Sequence, residues 1–136
     1  MVDETIEDAK AGLRRQAHRA RAALSAAARA EAADRVAQHF FAHFALRPSQ
    51  VVAAYWRIRD ELDCQAILVR LMESEQVVVL PVVQGPDQPL QMRVWEKGAA
   101  LYEAGFGTLA PSELAPLAEP DMVLMPLLGF DRLGTR

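Results

Sequence analysis

Cysteine is almost absent from this chain of 136 residues: Cys64 stands alone, so no internal disulfide can form and a reducing compartment fits best. Histidine is nearly as scarce, and His18, His39 and His43 are too scattered to form a metal-ligand cluster. Basic charge is not in excess: 15 Lys and Arg against 18 Asp and Glu give a formal charge of −3, which argues against a nucleic-acid partner. No run approaches the ~20 apolar residues needed to cross a bilayer. The opening residues, MVDETIED, are acidic where a secretory leader is basic. A cytoplasmic location with no membrane partner is the expectation.

What is present is apolar residue in quantity, about half the chain, enough for one domain over residues 1–136 that buries a real core. Residues 1–7 are expected to fray. A helix rich in Ala, Arg and Leu is predicted from about Asp8 to Ala23, broken at Leu24 and Ser25. Ser25 suits the cap of a second helix, whose Ala33, Val36, Ala37, Phe40, Phe41 and Phe44 recur on one face. Short apolar runs at 51–55, 77–80 and 122–125 read as buried strands, with a further strand at 91–94. Between the first two lies a helix carrying Cys64, Ile67, Leu68, Leu71 and Met72, with Asp63 as its cap. Strand, helix, strand implies a right-handed parallel crossover, hence an α/β domain of three α/β/α layers with a mostly parallel sheet. Pro81 is expected to end the second strand, and residues 104–120 to form a long ordered loop.

On a wheel of about 100° per residue, Lys10, Arg14 and Arg21 share one stripe of the first helix. Such a stripe holds a polyphosphate or is simply a solvated face; Arg15, Arg19 and Arg29 lie off it and are read as surface charge. Asp60, Glu61 and Asp63 follow a strand and precede a helix, the edge of an open α/β sheet where ligands settle. Of these, Glu61 is the candidate contact, Asp63 the cap, and Asp60 a residue facing water. Tyr55 and Trp56 either stack on a flat heterocycle or fill the edge of the core. Asp131 ends a buried strand, where it either faces a ligand or braces the next turn.

Several segments together resemble the 5-formyltetrahydrofolate cyclo-ligases, or methenyltetrahydrofolate synthetases. They are Lys10 to Arg14 with Arg21, Tyr55 to Asp63, Val77 to Pro81, and Trp95 to Gly98. Further on come Gly105 to Gly107 with Pro111, and Met125 to Asp131 with Gly134 and Arg136. Each is weak alone; their order spans nearly the whole chain. The resemblance implies use of ATP and magnesium to convert 5-formyltetrahydrofolate to 5,10-methenyltetrahydrofolate, with release of ADP and phosphate. ATP is needed because a formyl group on nitrogen is an amide, whose oxygen must be phosphorylated before N10 adds and phosphate leaves. By the same resemblance Lys10, Arg14 and Arg136 contact ATP, Glu61 accepts hydrogen bonds from the pterin, and Phe106 stacks on it with Tyr55 in the same pocket. Trp95 is expected at a strand end, and Met125, Pro126 and Phe130 as crevice walls.

Relatives of that family continue past the counterpart of Arg136 with a Leu-Gly-x-Gly-x-Gly-Tyr-Tyr-Asp stretch that supplies backbone N–H groups for phosphate. The sheet is therefore expected to be incomplete at the C-terminus, and the 136 residues to match the N-terminal two-thirds of the family domain without turning substrate over. Two other readings stay open: a remnant that binds folate or nucleotide without catalysis, and a small interaction domain that docks its Arg-rich first helix on an acidic partner.

Overall fold

In the computed structural model, residues 2–105 and 107–136 are described, residues 2–4 by their backbone alone. Two helices come first, α1 (Val2–Ala22) and α2 (Ala26–His43). They are followed by β1 (Val51–Ala53), α3 (Gln65–Glu73), β2 (Val77–Val82) and β3 (Gln91–Val94). A two-stranded ribbon, β4 (Tyr102–Glu103) and β5 (Leu109–Ala110), precedes β6 (Met122–Val123).

The main sheet has the order β3-β2-β1-β6. β1 pairs parallel with β2, Val52 opposite Val78, and parallel with β6, Val52 opposite Met122, while β3 runs antiparallel to β2. The α/β class with a mostly parallel sheet is thus as the sequence indicates. Periodicity explains the core. Val52, Ala54, Val78 and Leu80 point to one face of the sheet and meet Ile67, Leu68 and Leu71 of α3 with Ala37 and Phe40 of α2. Ala53, Val79 and Ala110 are buried outside this cluster. Gln76, buried beside the core, donates its amide to the carbonyls of Arg47 and Gln50, so its burial is satisfied.

Ser25 caps α2 as expected, accepting the Ala28 N–H at 3.1 Å. Four expectations need correction. First, α1 starts at Val2 where fraying was expected; Glu7 and Lys10, one turn apart at 3.2 Å, support its early turns. Second, β2 runs through Pro81. The Trp95 N–H bonds Val78 O, which makes residues 80 and 82 the ladder-bonded partners of β3 and leaves Pro81 opposite Met92 in a pair that needs no N–H. On the other side β1 has already ended at Ala53. Third, the predicted loop at 104–120 contains half of a ribbon, with Tyr102 opposite Ala110. Gly105 and Gly107 (φ 79° and 75°) take the left-handed backbone that turns it. Fourth, β1 and β6 are shorter than the apolar runs that mark them.

At the start of β1 and β6, Asp121 Oδ2 accepts the Val51 N–H at 2.7 Å and the Asp121 N–H bonds Val51 O at 2.8 Å. That clamp sets the register of two strands distant in sequence, so their carboxyl ends emerge side by side.

Candidate functional site

The loop that leaves β1, residues 54–64, is built from its own polar groups. Glu61 Oε1 accepts the Ile58 N–H at 2.7 Å while the Glu61 N–H bonds Ile58 O at 3.2 Å, closing a turn in which Arg59 is left-handed (φ 54°). A non-glycine residue in that region costs roughly 1–2 kcal/mol, so the closing bonds have a strain to offset. The second Glu61 oxygen makes no hydrogen bond among the described residues. Tyr55 donates its phenol to Leu62 O at 2.7 Å, and the Cys64 thiol donates to Tyr55 O at 3.1 Å. Burial first, then the Cys64 and Glu61 charges, raise the Tyr55 hydroxyl's pKa, so it stays a donor; burial likewise pushes the Cys64 thiol up.

Asp63 accepts the Gln65 N–H at 2.9 Å one residue ahead of the geometric cap, Cys64, and so does the work expected of it at the α3 N-terminus. Its other oxygen lies 3.5 Å from Arg57. Asp60 does not face water. Arg21, at the last turn of α1, reaches it at 3.0 Å, and both side chains are only 21% exposed. Burial pushes the Asp60 carboxyl up, but the charge and hydrogen bond of Arg21 outweigh it and hold the group below the usual carboxylate value. No spacing rule reveals a pair 39 residues apart.

Arg21, Arg29, Arg57, Asp60, Glu61 and Asp63 line one cleft of about 330 Å³, closed on its other side by the first turns of α2. Lys10 and Arg14 do not line it. At 1.5 Å per residue they stand about 16 and 10 Å from Arg21 along α1. Both are exposed; Lys10 pairs with Glu7, and Arg14 makes no ion pair among the described residues. Arg136 lies at the far end of the segment leaving β6, its guanidinium 3.5 Å from Met125 Sδ. Asp131 braces the turn there, accepting the Leu133 and Thr135 N–H groups at 2.8 and 2.9 Å; the Thr135 bond is the chief cause of its lowered pKa. Met125, Pro126 and Phe130 are exposed, and none of them lines this cleft. Trp56 and Trp95 meet edge to face at 5.8 Å, and Trp95 packs at the end of β3 on the core. Phe106 lies outside the described residues.

Among the described residues, no group of three or more His, Cys, Asp or Glu could hold a metal ion. No helix among them is long and apolar enough to cross a membrane.

Neighbouring parallel strands out of sequence order, with polar loops beyond their carboxyl ends, define an open-sheet α/β domain. Residues 6–136 match the model of the 5-formyltetrahydrofolate cyclo-ligase family, and the chain belongs to that family. It is 26% identical to the 5-formyltetrahydrofolate cyclo-ligase of Haemophilus influenzae, over 91% of this chain and 69% of that protein. It is 25% identical to that of Mus musculus, over 100% of this chain and 71% of that one. The fold is similar to the NMR structure of a 5,10-methenyltetrahydrofolate synthetase from Aquifex aeolicus, at 24% identity and a TM-score of 0.77 over 90% of this chain. A synthetase of the same name from Mycoplasma pneumoniae aligns at 22% identity and a TM-score of 0.64, again over 90% of this chain. The chain spans 62% and 66% of the length of those two solved proteins.

Proposed function

We propose that this chain binds 5-formyltetrahydrofolate at the β1–α3 loop and ATP beside it, for the ATP-dependent closure of 5-formyltetrahydrofolate to 5,10-methenyltetrahydrofolate with release of ADP and phosphate. The observation that carries this reading is Glu61, a half-buried carboxylate on the wall of the cleft, fixed by Ile58 through one oxygen, with its second oxygen unbonded among the described residues. A fixed carboxylate accepts paired hydrogen bonds from the donor edge of a pterin without first having to be ordered. Tyr55 contributes by holding the Leu62 carbonyl, and with it the loop, and Phe106 is assigned the stacking role on resemblance alone.

Lys10, Arg14 and Arg136 are assigned to the nucleotide. Phosphoryl transfer asks mainly for positioning and positive charge, and among the described residues Arg14 pairs with no carboxylate. A magnesium ion would arrive on the phosphates, where it would neutralise developing charge. The protein's own residues would orient the formyl oxygen toward the γ-phosphate and shield the site from water. A cytoplasmic setting accords with the single reduced thiol, Cys64.

Titration calorimetry of the purified chain tests the reading. Saturable binding of 5-formyltetrahydrofolate and, separately, of ATP, one of each per chain, is the expected result. Failure to bind the folate would contradict it.

A further inference from the structure

No described residue of α1 belongs to the core cluster. Among the described residues the helix has no extended packing on another helix or strand. Within residues 5–22 only Ala11, Gly12, Ala17 and Arg21 are half-buried, and Ile6 and Leu13 stand exposed. The C-terminal end of the helix is joined to the rest of the fold by side-chain bonds. Arg21 Nε and Nη2 both reach Asp60 Oδ1 at 3.0 Å, joining the helix to the loop that carries Glu61. Arg29 then ties the same end to α2: its Nη2 donates to the carbonyls of Arg21 and Ala22 at 3.0 and 3.1 Å, and its Nε to that of Leu24 at 3.1 Å. The carbonyls of Arg21 and Ala22 are among those a helix end leaves without intrahelical partners, so Arg29, with the Leu24 N–H also on Arg21 O, satisfies them while it fixes the angle between the two helices.

The Arg21–Asp60 pair is largely shielded, at 21% exposure on each side, and is therefore screened less than a surface pair. Arg21 is also poorly suited to be a phosphate ligand itself, since an incoming phosphate would first have to displace Asp60.

We propose that Arg21 and Asp60 are positioning residues: their ion pair, backed by Arg29, sets the angle at which α1 leaves the site loop and so holds Lys10 and Arg14 toward a nucleotide bound there. This rests on the nucleotide reading of α1 given above. A rigid helix makes the leverage large. Lys10 lies about 16 Å from the anchor, so a pivot of about 15° would carry it some 4 Å, enough to lose a hydrogen bond.

Arg21→Ala, Asp60→Asn and the exchanged pair Arg21→Asp with Asp60→Arg test the proposal, with far-ultraviolet circular dichroism to verify folding. Amide hydrogen exchange of residues 5–22 should quicken about ten-fold in each single variant while α3 and β2 keep their protection. The ATP dissociation constant should rise roughly five-fold in each, and the exchanged pair should restore most of both effects. A merely stabilising pair would change exchange and melting but leave ATP affinity alone, which overturns the proposal. A phosphate-binding Arg21 would give tighter ATP binding in Asp60→Asn and no rescue in the exchanged pair, which also overturns it. Unchanged α1 exchange in both single variants overturns it whatever the nucleotide does. If Lys10→Ala leaves ATP affinity unchanged while α1 exchange follows the ion pair, the nucleotide reading of α1 fails and the anchoring of α1 stands.

Discussion

The β1–α3–β2 unit and α1 are held by different physics. In the first, Val52, Leu68, Val79 and Leu80 have no exposed surface and strand pairing fixes the register, so its stability comes from dispersion and from apolar surface removed from water. In the second, residues 5–22 of a regular helix lie mostly in solvent, and two arginines tie down their C-terminal end. Dry packing does not pivot, whereas a helix tethered by a few charged groups can. The loop bearing Glu61 grows from the rigid unit, and the cations assigned to the nucleotide ride on the adjustable one. That division suits a site that must hold one ligand firmly while admitting another.

The largest effect is expected in the core. Leu68→Ala should cost about 2–5 kcal/mol in urea unfolding, because Leu68 is fully buried between α3 and the sheet. Leu13→Ala, at a residue 66% exposed on α1, should change stability by less than ~0.5 kcal/mol. A comparable loss at the two leucines would mean that α1 is packed, and the contrast would collapse.

At the boundary between the two regions, Ser25→Ala removes the cap on the Ala28 N–H and should cost about 1 kcal/mol by the same measurement. A smaller effect separates the regions by pH. Burial raises the Asp60 carboxyl's pKa but Arg21 lowers it further, so the net folded value is depressed, with Arg29 adding to the pull. The attachment of α1 is then complete above the ordinary carboxylate pKa of 3.8 and weakens as pH falls through the depressed value. Nuclear magnetic resonance of α1 amides should show a shift on acidification that α3 amides lack, and Asp60→Asn should remove it. An α1 shift that persists in Asp60→Asn would assign the effect to another carboxylate.

Much of this was legible in the sequence where the signal is local. Periodicity marks the α2 face and the α3 core, Ser25 signals its cap, and the apolar runs mark the strands. Pro81 misleads because whether a strand needs an N–H depends on which neighbour pairs there, and that is fixed by β1 ending at Ala53 and by the β3 register. Asp60 misleads for a related reason: its partner, Arg21, is remote in sequence, and only the docking of α1 brings them together. Arg29 reads from the sequence as a solvated surface charge, yet it is half-buried and donates to three carbonyls, partners that follow from the angle between two helices, which composition does not encode. Of the site, Glu61 and Asp63 stand where a strand-to-helix loop should put them, whereas Lys10 and Arg14 share a helix with the cleft and not its lining.

The central claim is that the two regions hold two ligands, folate on the Glu61 loop and nucleotide along α1. Calorimetric titration of both ligands into Glu61→Gln and Lys10→Ala tests it most directly. Gln keeps an oxygen for the Ile58 N–H but loses the charge, and charge-assisted hydrogen bonds are worth ~1.5–3 kcal/mol. Glu61→Gln should therefore weaken 5-formyltetrahydrofolate by roughly ten- to a hundred-fold and leave ATP within about three-fold, while Lys10→Ala should weaken ATP and leave the folate within about three-fold. Equal losses of both ligands in either variant would contradict the account.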